Sequence, residues 1–133
     1  MSFSNEWENR YMENTHMSIW PWSDLVSLVM RYKSSKENLK VLELGCGAGA
    51  NIPFFDSIGA NYYAIEGSRT ITRKLHKQYP QFKKNIICGD FTKDIPDTSF
   101  DLIIDRAALT HNDEESIIKC INKCHQQLVF RGK

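Results

Sequence analysis

The residues with chemistry to offer fall mostly in the second two-thirds of the chain. In ELGCGAG, residues 43–49, Gly45, Gly47 and Gly49 alternate directly after an apolar run. Glycine lets the backbone turn tightly and lets a ligand approach where a Cβ would stand. Glu66 follows about 20 residues on, at the end of NYYAIE, a place from which a carboxylate accepts hydrogen bonds from the vicinal hydroxyls of a ribose. Hydrogen bonds to a charged group of this kind contribute about 1.5–3 kcal/mol each. Gly89-Asp90-Phe91 offers an acceptor and an aromatic ring, a pair suited to the edge and face of adenine. Glu43 is an ionisable group inside an apolar run; there it must be paired or hydrogen-bonded, to an ammonium group or to the amides of the glycine loop. The stretch from Gly45 to Ala50 also satisfies G-x-G-x-x-G/A, so the glycines and Glu66 leave a nicotinamide dinucleotide and an adenosyl cofactor both open. Further on stand Asp105, Arg106 and His111. His111 is the candidate general base, because imidazole titrates near neutrality. Asp105 is the second candidate catalytic residue and a candidate contact to cofactor or acceptor, and Arg106 a candidate partner for an anionic acceptor.

Positioning these groups takes strands that end at them. KVLEL, 40–44, reads as a strand running into Gly45, followed by a helix from near Ala50 to Gly59. NYYAIE, 61–66, is a second strand rich in β-favouring residues. Residues 69–79 read as a helix ending at Pro80, with Arg69, Arg73, Lys74, Lys77 and, beyond it, Lys83 and Lys84 as a solvated basic run. NIICGD, 85–90, and FDLIID, 100–105, are the third and fourth strands, and 113–127 is a helix with Ile117, Ile118, Ile121 and Leu128 near one face. Alternation of strand and helix predicts a parallel sheet with helices on its faces. Upstream, Ser23 is placed to cap a helix carrying Leu25, Val26, Leu28 and Val29 on one side, and the first 20 residues are polar and studded with Trp and Tyr.

VLELGCGAG resembles the glycine-rich first motif of the class I S-adenosylmethionine-dependent methyltransferases, YYAIEGS their second, NIICGDFTKDIP their third and FDLIIDRAALTH their fourth, in order from about residue 40 to 127. The resemblance implies a Rossmann-like three-layer α/β/α sandwich with a mainly parallel sheet in the order 3-2-1-4. It implies S-adenosylmethionine as cofactor, with S-adenosylhomocysteine as product. Gly45, Cys46, Gly47 and Gly49 would then flank the methionine part, Glu66 and Gly67 the ribose, and Asp90 with Phe91 the adenine. Glu43 would orient the loop or the amino group, which Asp105 is also placed to contact. Residues 1–39 would form a helical lid, with Arg10 meeting the cofactor carboxylate and Trp7 or Tyr11 shielding the sulfonium by a cation–π contact, and residues 40–133 the core. A complete domain of this family has seven strands, whereas LVFRGK stands where a fifth should begin. The expectation is therefore a C-terminally truncated core whose fourth strand is an exposed apolar edge, or one covered by a homodimer partner.

Composition narrows the function classes. The 133 residues hold 17 Lys+Arg against 16 Asp+Glu, a net charge of +1, far from the basic balance of a dedicated nucleic-acid binder. Aromatics at 11% and the balanced charge argue against disorder. No apolar run approaches the roughly 20 residues of a spanning helix, and MSFSNEWENR lacks the marks of a signal peptide, so no membrane partner and a cytoplasmic location are expected. Cys46, Cys88, Cys120 and Cys124 do not read as a secreted disulfide framework. Cys120, Cys124 and His125 have no second ligand pair at zinc-site spacing, so no metal is expected. Three functions stay in play: methyl transfer to a small-molecule oxygen or nitrogen, NAD(P)-dependent oxidoreduction, and a non-catalytic cofactor-binding module.

Overall fold

A computed structural model of the chain describes residues 5–14, 18–33 and 37–133. Successive side chains along each strand point to opposite faces, and apolar residues on both faces set the layers. In β1 (Lys40–Leu44), Val41 packs into one cluster, while Leu42 and Leu44 pack into another on the opposite face. β1 lies between β2 (Asn61–Glu66) and β4 (Leu102–Asp105), and β3 (Ile86–Cys88) lies outside β2; all pairings are parallel, in the order β3-β2-β1-β4. The first cluster receives Tyr11 of α1 (Asn5–Met12), Leu25 and Val29 of α2 (Ser23–Lys33), Ile52 and Phe55 of α3 (Ile52–Ser57), and Ile71 and Leu75 of α4 (Arg69–Gln78). The second receives Cys120 of α5 (Glu114–Gln127), with Ile95 and Phe100 from the connection into β4. This is the three-layer Rossmann-like arrangement, and the order reverses between β1 and β4, where a crevice opens at the carboxyl ends of the strands.

Local chemistry sets the element ends. Ser68 caps α4 by accepting from the Ile71 amide at 3.1 Å, and Asp113 caps α5 by accepting from the Ser116 amide at 2.9 Å. β3 is shorter than the 85–90 expected: the Gly89 amide still bonds to the Glu66 carbonyl at 3.0 Å, but Asp90 then turns the chain by accepting from the Thr92 amide at 3.0 Å. On α2 only Leu25 and Val29 are buried, and Leu28 faces outward. On α5 the inward face runs through Ile117, Cys120 and Cys124, so Ile118 and Ile121 are exposed rather than part of the core.

The outer edge of β4 also differs from expectation. The Phe100 amide donates to the Gln127 carbonyl at 2.7 Å, and the Val129 amide donates to the Phe100 carbonyl at 3.0 Å. The Ile103 amide donates to the Lys133 carbonyl at 2.8 Å. Residues 127–133 therefore lie along the first half of that edge and satisfy backbone groups that would otherwise stand open. Among the described residues, no helix is long and apolar enough to cross a membrane.

Candidate functional site

The β1–α3 turn is shaped by backbone that only glycine adopts freely. Gly45 has φ +65°, and a Cβ there would sit 2.6 Å from the Ala108 Cβ. Gly49 has φ +80°, and a Cβ there would meet Leu75 Cδ2 at 2.7 Å, so its role is close packing of the turn against α4. Glu66, buried at the end of β2, holds this turn: Oε2 accepts from the Gly47 amide at 2.7 Å and Oε1 from the Ser68 amide at 3.1 Å. Burial pushes its carboxyl up from the ordinary value while these amides pull it down. With the Gly67 amide also acting on it, the carboxylate keeps capacity for a further donor.

Among the described residues, Glu43 is held neither by an ammonium group of the protein nor by the loop amides. The Gly47 amide goes to Glu66 and the Gly45 and Gly49 amides to the Ile65 and Cys46 carbonyls, and Glu43 instead accepts from Asn51 Nδ2 at 2.7 Å and from the Tyr62 hydroxyl at 2.5 Å. Burial is the largest influence on its carboxyl, which is pushed up to about 7 against the pull of these two donors, with the Glu66 charge adding to the rise. Asn51 Oδ1 in turn accepts from the Trp22 amide at 3.2 Å, linking the floor of the turn to the start of α2. Asn51 and Tyr62 carried no marked signal of their own. The signal was Glu43, a buried carboxylate that requires donors on a neighbouring element. Burial and then the charges of Glu66 and Glu43 push the Cys46 thiol up, so it lines the site as a small neutral side chain.

A cleft of about 530 Å³ opens over the carboxyl ends of the strands. Of the residues singled out in the sequence, Glu43, Gly45, Cys46, Gly47, Glu66, Gly67, Asp90, Phe91, Trp7, Tyr11, Arg106 and His111 all line it. Asp90 Oδ1 accepts from the amide and hydroxyl of Thr92, while the buried Oδ2 has no hydrogen-bond partner among the described residues and lies 4.0 Å from Lys93 Nζ. The Arg106 guanidinium lies 4.0 Å from the centre of the Trp22 ring and 3.8 Å from Asp24. The His111 ring meets Trp7 edge to face at 5.4 Å.

Three residues are placed elsewhere. Asp105 does not line the cleft; its carboxylate accepts from the Ala108 and Leu109 amides at 2.9 Å each. That turn holds Ala107 at φ +63° and seats Ala108 against Gly45. Arg10 pairs with Glu6 at 2.5 Å and stands 5.6 Å from the Trp7 ring centre, outside the cleft lining. Gly49 packs behind the turn, as above. His76 hydrogen-bonds the Ile86 carbonyl at 2.7 Å, and His16 lies outside the described residues. No group of three or more His, Cys, Asp or Glu side chains that could hold a metal ion occurs among the described residues.

The family model described as "Methyltransferase domain" matches residues 42–133. The chain belongs to the class I S-adenosylmethionine-dependent methyltransferase family. Over 99 residues it is 30% identical to the phosphoethanolamine N-methyltransferase of Plasmodium falciparum (isolate 3D7), covering 72% of this chain and 37% of that protein. It is similar to TehB from Haemophilus influenzae at a TM-score of 0.72 and 18% identity, over 94% of this chain and 43% of that one. It is likewise similar to a methyltransferase from Geobacter sulfurreducens solved in complex with S-adenosyl-L-homocysteine, at a TM-score of 0.69 and 15% identity, over 98% of this chain and 53% of that one. At these identities the likeness to the solved structures is one of fold. The chain spans about half the length, or less, of the relatives it matches.

The methyltransferase cleft suits S-adenosylmethionine on its own chemistry. Glu66 retains acceptor capacity for a diol, and the orphaned Asp90 Oδ2 is an acceptor without a donor, the complement of an exocyclic amine. Gly45 packs against Ala108 with the Phe91 ring close by, which keeps the turn low at the floor of the cleft. The nicotinamide reading, left open by the glycines and Glu66 alone, gives way to the family match.

Proposed function

We propose that this chain is the cofactor-binding part of an enzyme that methylates a small molecule on nitrogen or oxygen. One observation carries the reading: Gly45, Gly47, Glu66 and Asp90 share a single cleft with Trp22, Arg106 and His111. The first group matches the demands of a nucleoside with an amino-acid tail. The second adds a ring, a cation and an imidazole to the same space. When bound, S-adenosylmethionine supplies an electrophilic methyl group on a sulfonium. The protein's part is alignment and exclusion of water, and such positioning can lower a barrier by about 7–11 kcal/mol. Glu66 and Asp90 hold the nucleoside, and the Gly45–Gly47 turn lets the tail approach the backbone. Trp7 and Tyr11 of α1 close one side, which is the lid role for the N-terminal segment. His111 accepts the proton that the acceptor loses, and Arg106 favours an acceptor carrying an anionic group. The similarity to a phosphoethanolamine N-methyltransferase supports an amine among such acceptors. Asp105 serves as a positioning residue for the Ala107–Ala108 turn.

The test is turnover with S-adenosylmethionine and a panel of small amines and alcohols, with and without anionic groups, read as S-adenosylhomocysteine released and methylated product formed. Product from at least one acceptor is expected, with His111→Ala lowering kcat by 10²-fold or more, on the order of general-base catalysis, and leaving S-adenosylhomocysteine binding intact. Binding without product across the panel overturns the catalytic reading in favour of a cofactor-binding module.

A further inference from the structure

The lid helix is tied to the core at a point outside the cleft. Glu8, near the middle of α1, accepts from the Thr70 amide at 3.1 Å through Oε1, and the same oxygen accepts from the Thr70 hydroxyl. Thr70 is in the first turn of α4, where backbone amides have no intrahelical acceptor, so the Glu8 carboxylate fills a vacancy that the helix itself cannot. It also stands at the positive end of the α4 dipole. A second contact crosses the same junction, from Lys74 Nζ, one turn further along α4, to Oδ1 of Asn14, just beyond the end of α1, at 2.7 Å.

Glu8 is not among the residues lining the cleft, yet its neighbours on α1 are. Trp7 reaches the His111 ring, and the Tyr11 hydroxyl comes within 3.1 Å of where a Gly47 Cβ would be. One helix thus touches both sides of the cleft mouth, and its hold on α4 decides where those two rings sit. Thr70 lies just beyond Glu66 and Ser68, so the tie is made to the same segment that holds the glycine turn. We propose that Glu8 is a positioning residue that latches α1 onto the start of α4 and thereby sets how fast the cofactor leaves the cleft. The latch rests on the cofactor reading given above and adds to it a residue that touches neither cofactor nor acceptor.

The experiment uses the whole chain as wild type, Glu8→Ala and Glu8→Gln, with two readouts. Amide hydrogen exchange of residues 5–12, compared with β1 and β2, reads the latch without any ligand. Stopped-flow release of S-adenosylhomocysteine, followed by tryptophan fluorescence, reads its consequence. Glu8→Ala is expected to speed exchange in α1 alone and to raise the release rate about tenfold, equivalent to about 1.4 kcal/mol. Glu8→Gln keeps an acceptor oxygen for Thr70 and is expected to restore most of both, a rescue that a general loss of stability would not show. Unchanged α1 exchange in Glu8→Ala overturns the latch, and changed exchange with an unchanged release rate overturns its role in cofactor retention. Failure of the folded wild type to bind S-adenosylhomocysteine overturns the cofactor reading and the gating role with it, while the exchange data still decide whether Glu8 ties α1 down.

Discussion

Replacing Glu43 with Gln should remove a pH dependence of stability that runs opposite to the usual contribution of a carboxylate. The Glu43 carboxyl is raised from 4.5 to about 7, chiefly because it is fully enclosed beneath the glycine turn. Below about pH 4.5 the group is neutral in both the folded and unfolded chain, and its titration costs nothing. As pH rises towards 7, the unfolded chain loses this proton while the folded chain still holds it, so stability falls; above about pH 7 the penalty levels off. Each pKa unit of difference is about 1.4 kcal/mol, which makes the full penalty about 3 kcal/mol. Gln reproduces the neutral form: its oxygen accepts from Asn51 and its amide donates to the Tyr62 oxygen, so neither partner is orphaned. Urea unfolding of the wild type and Glu43→Gln at about pH 5 and about pH 8.5 measures the difference, with most of the 3 kcal/mol (order of magnitude) appearing as relative stabilisation of the variant at the higher pH. Glu66 is also raised by burial but titrates in both proteins, so its contribution largely cancels. Parallel stability curves for the two proteins across that range would refute the reasoning and place Glu43 in a solvated or charge-paired setting.

Other substitutions separate holding the turn from holding the ligand. Glu66→Ala removes the acceptor for the Gly47 and Ser68 amides as well as the candidate ribose partner. It should weaken S-adenosylhomocysteine binding at least tenfold and lower stability by about 1–3 kcal/mol, and an unchanged dissociation constant in calorimetry removes Glu66 from the cofactor site. Asp105→Ala frees the Ala108 and Leu109 amides and with them the left-handed Ala107. Because that turn is exposed and water replaces the carboxylate, the expected loss in thermal unfolding is only about 1–2 kcal/mol, with weaker cofactor binding through Ala108's contact at Gly45. A direct catalytic role would instead leave binding intact and abolish turnover.

The strands and the placement of the glycine turn were legible because their signals are local, while the sheet order came with the family resemblance. Apolar runs that end at Gly45, Glu66 and Asp90 mark strand ends, and the carboxyl ends of parallel strands are where a crevice forms. What was illegible depends on which backbone groups claim a side chain. Asp105 has the chemistry of a site residue, but two amides of its own turn claim its carboxylate. Arg10 has a cation to offer, and Glu6 one helical turn away takes it. The inward face of α5 was misjudged because Ile118 and Ile121 are more apolar than Cys120 and Cys124. The sheet beneath leaves room for the smaller pair, and Cys120 is buried while the isoleucines face out. The closing of the β4 edge by residues 127–133 was hidden for a similar reason, since LVFRGK pairs through its backbone.

The most direct measurement is a calorimetric titration of the folded chain with S-adenosylhomocysteine, with reduced nicotinamide dinucleotide as the control ligand. Saturable one-to-one binding of the adenosyl ligand, with none of the dinucleotide, is the expected result. A folded sample that binds no S-adenosylhomocysteine, or that binds the dinucleotide in its place, would contradict the assignment of Gly45, Gly47, Glu66 and Asp90 to a methyltransferase cofactor site.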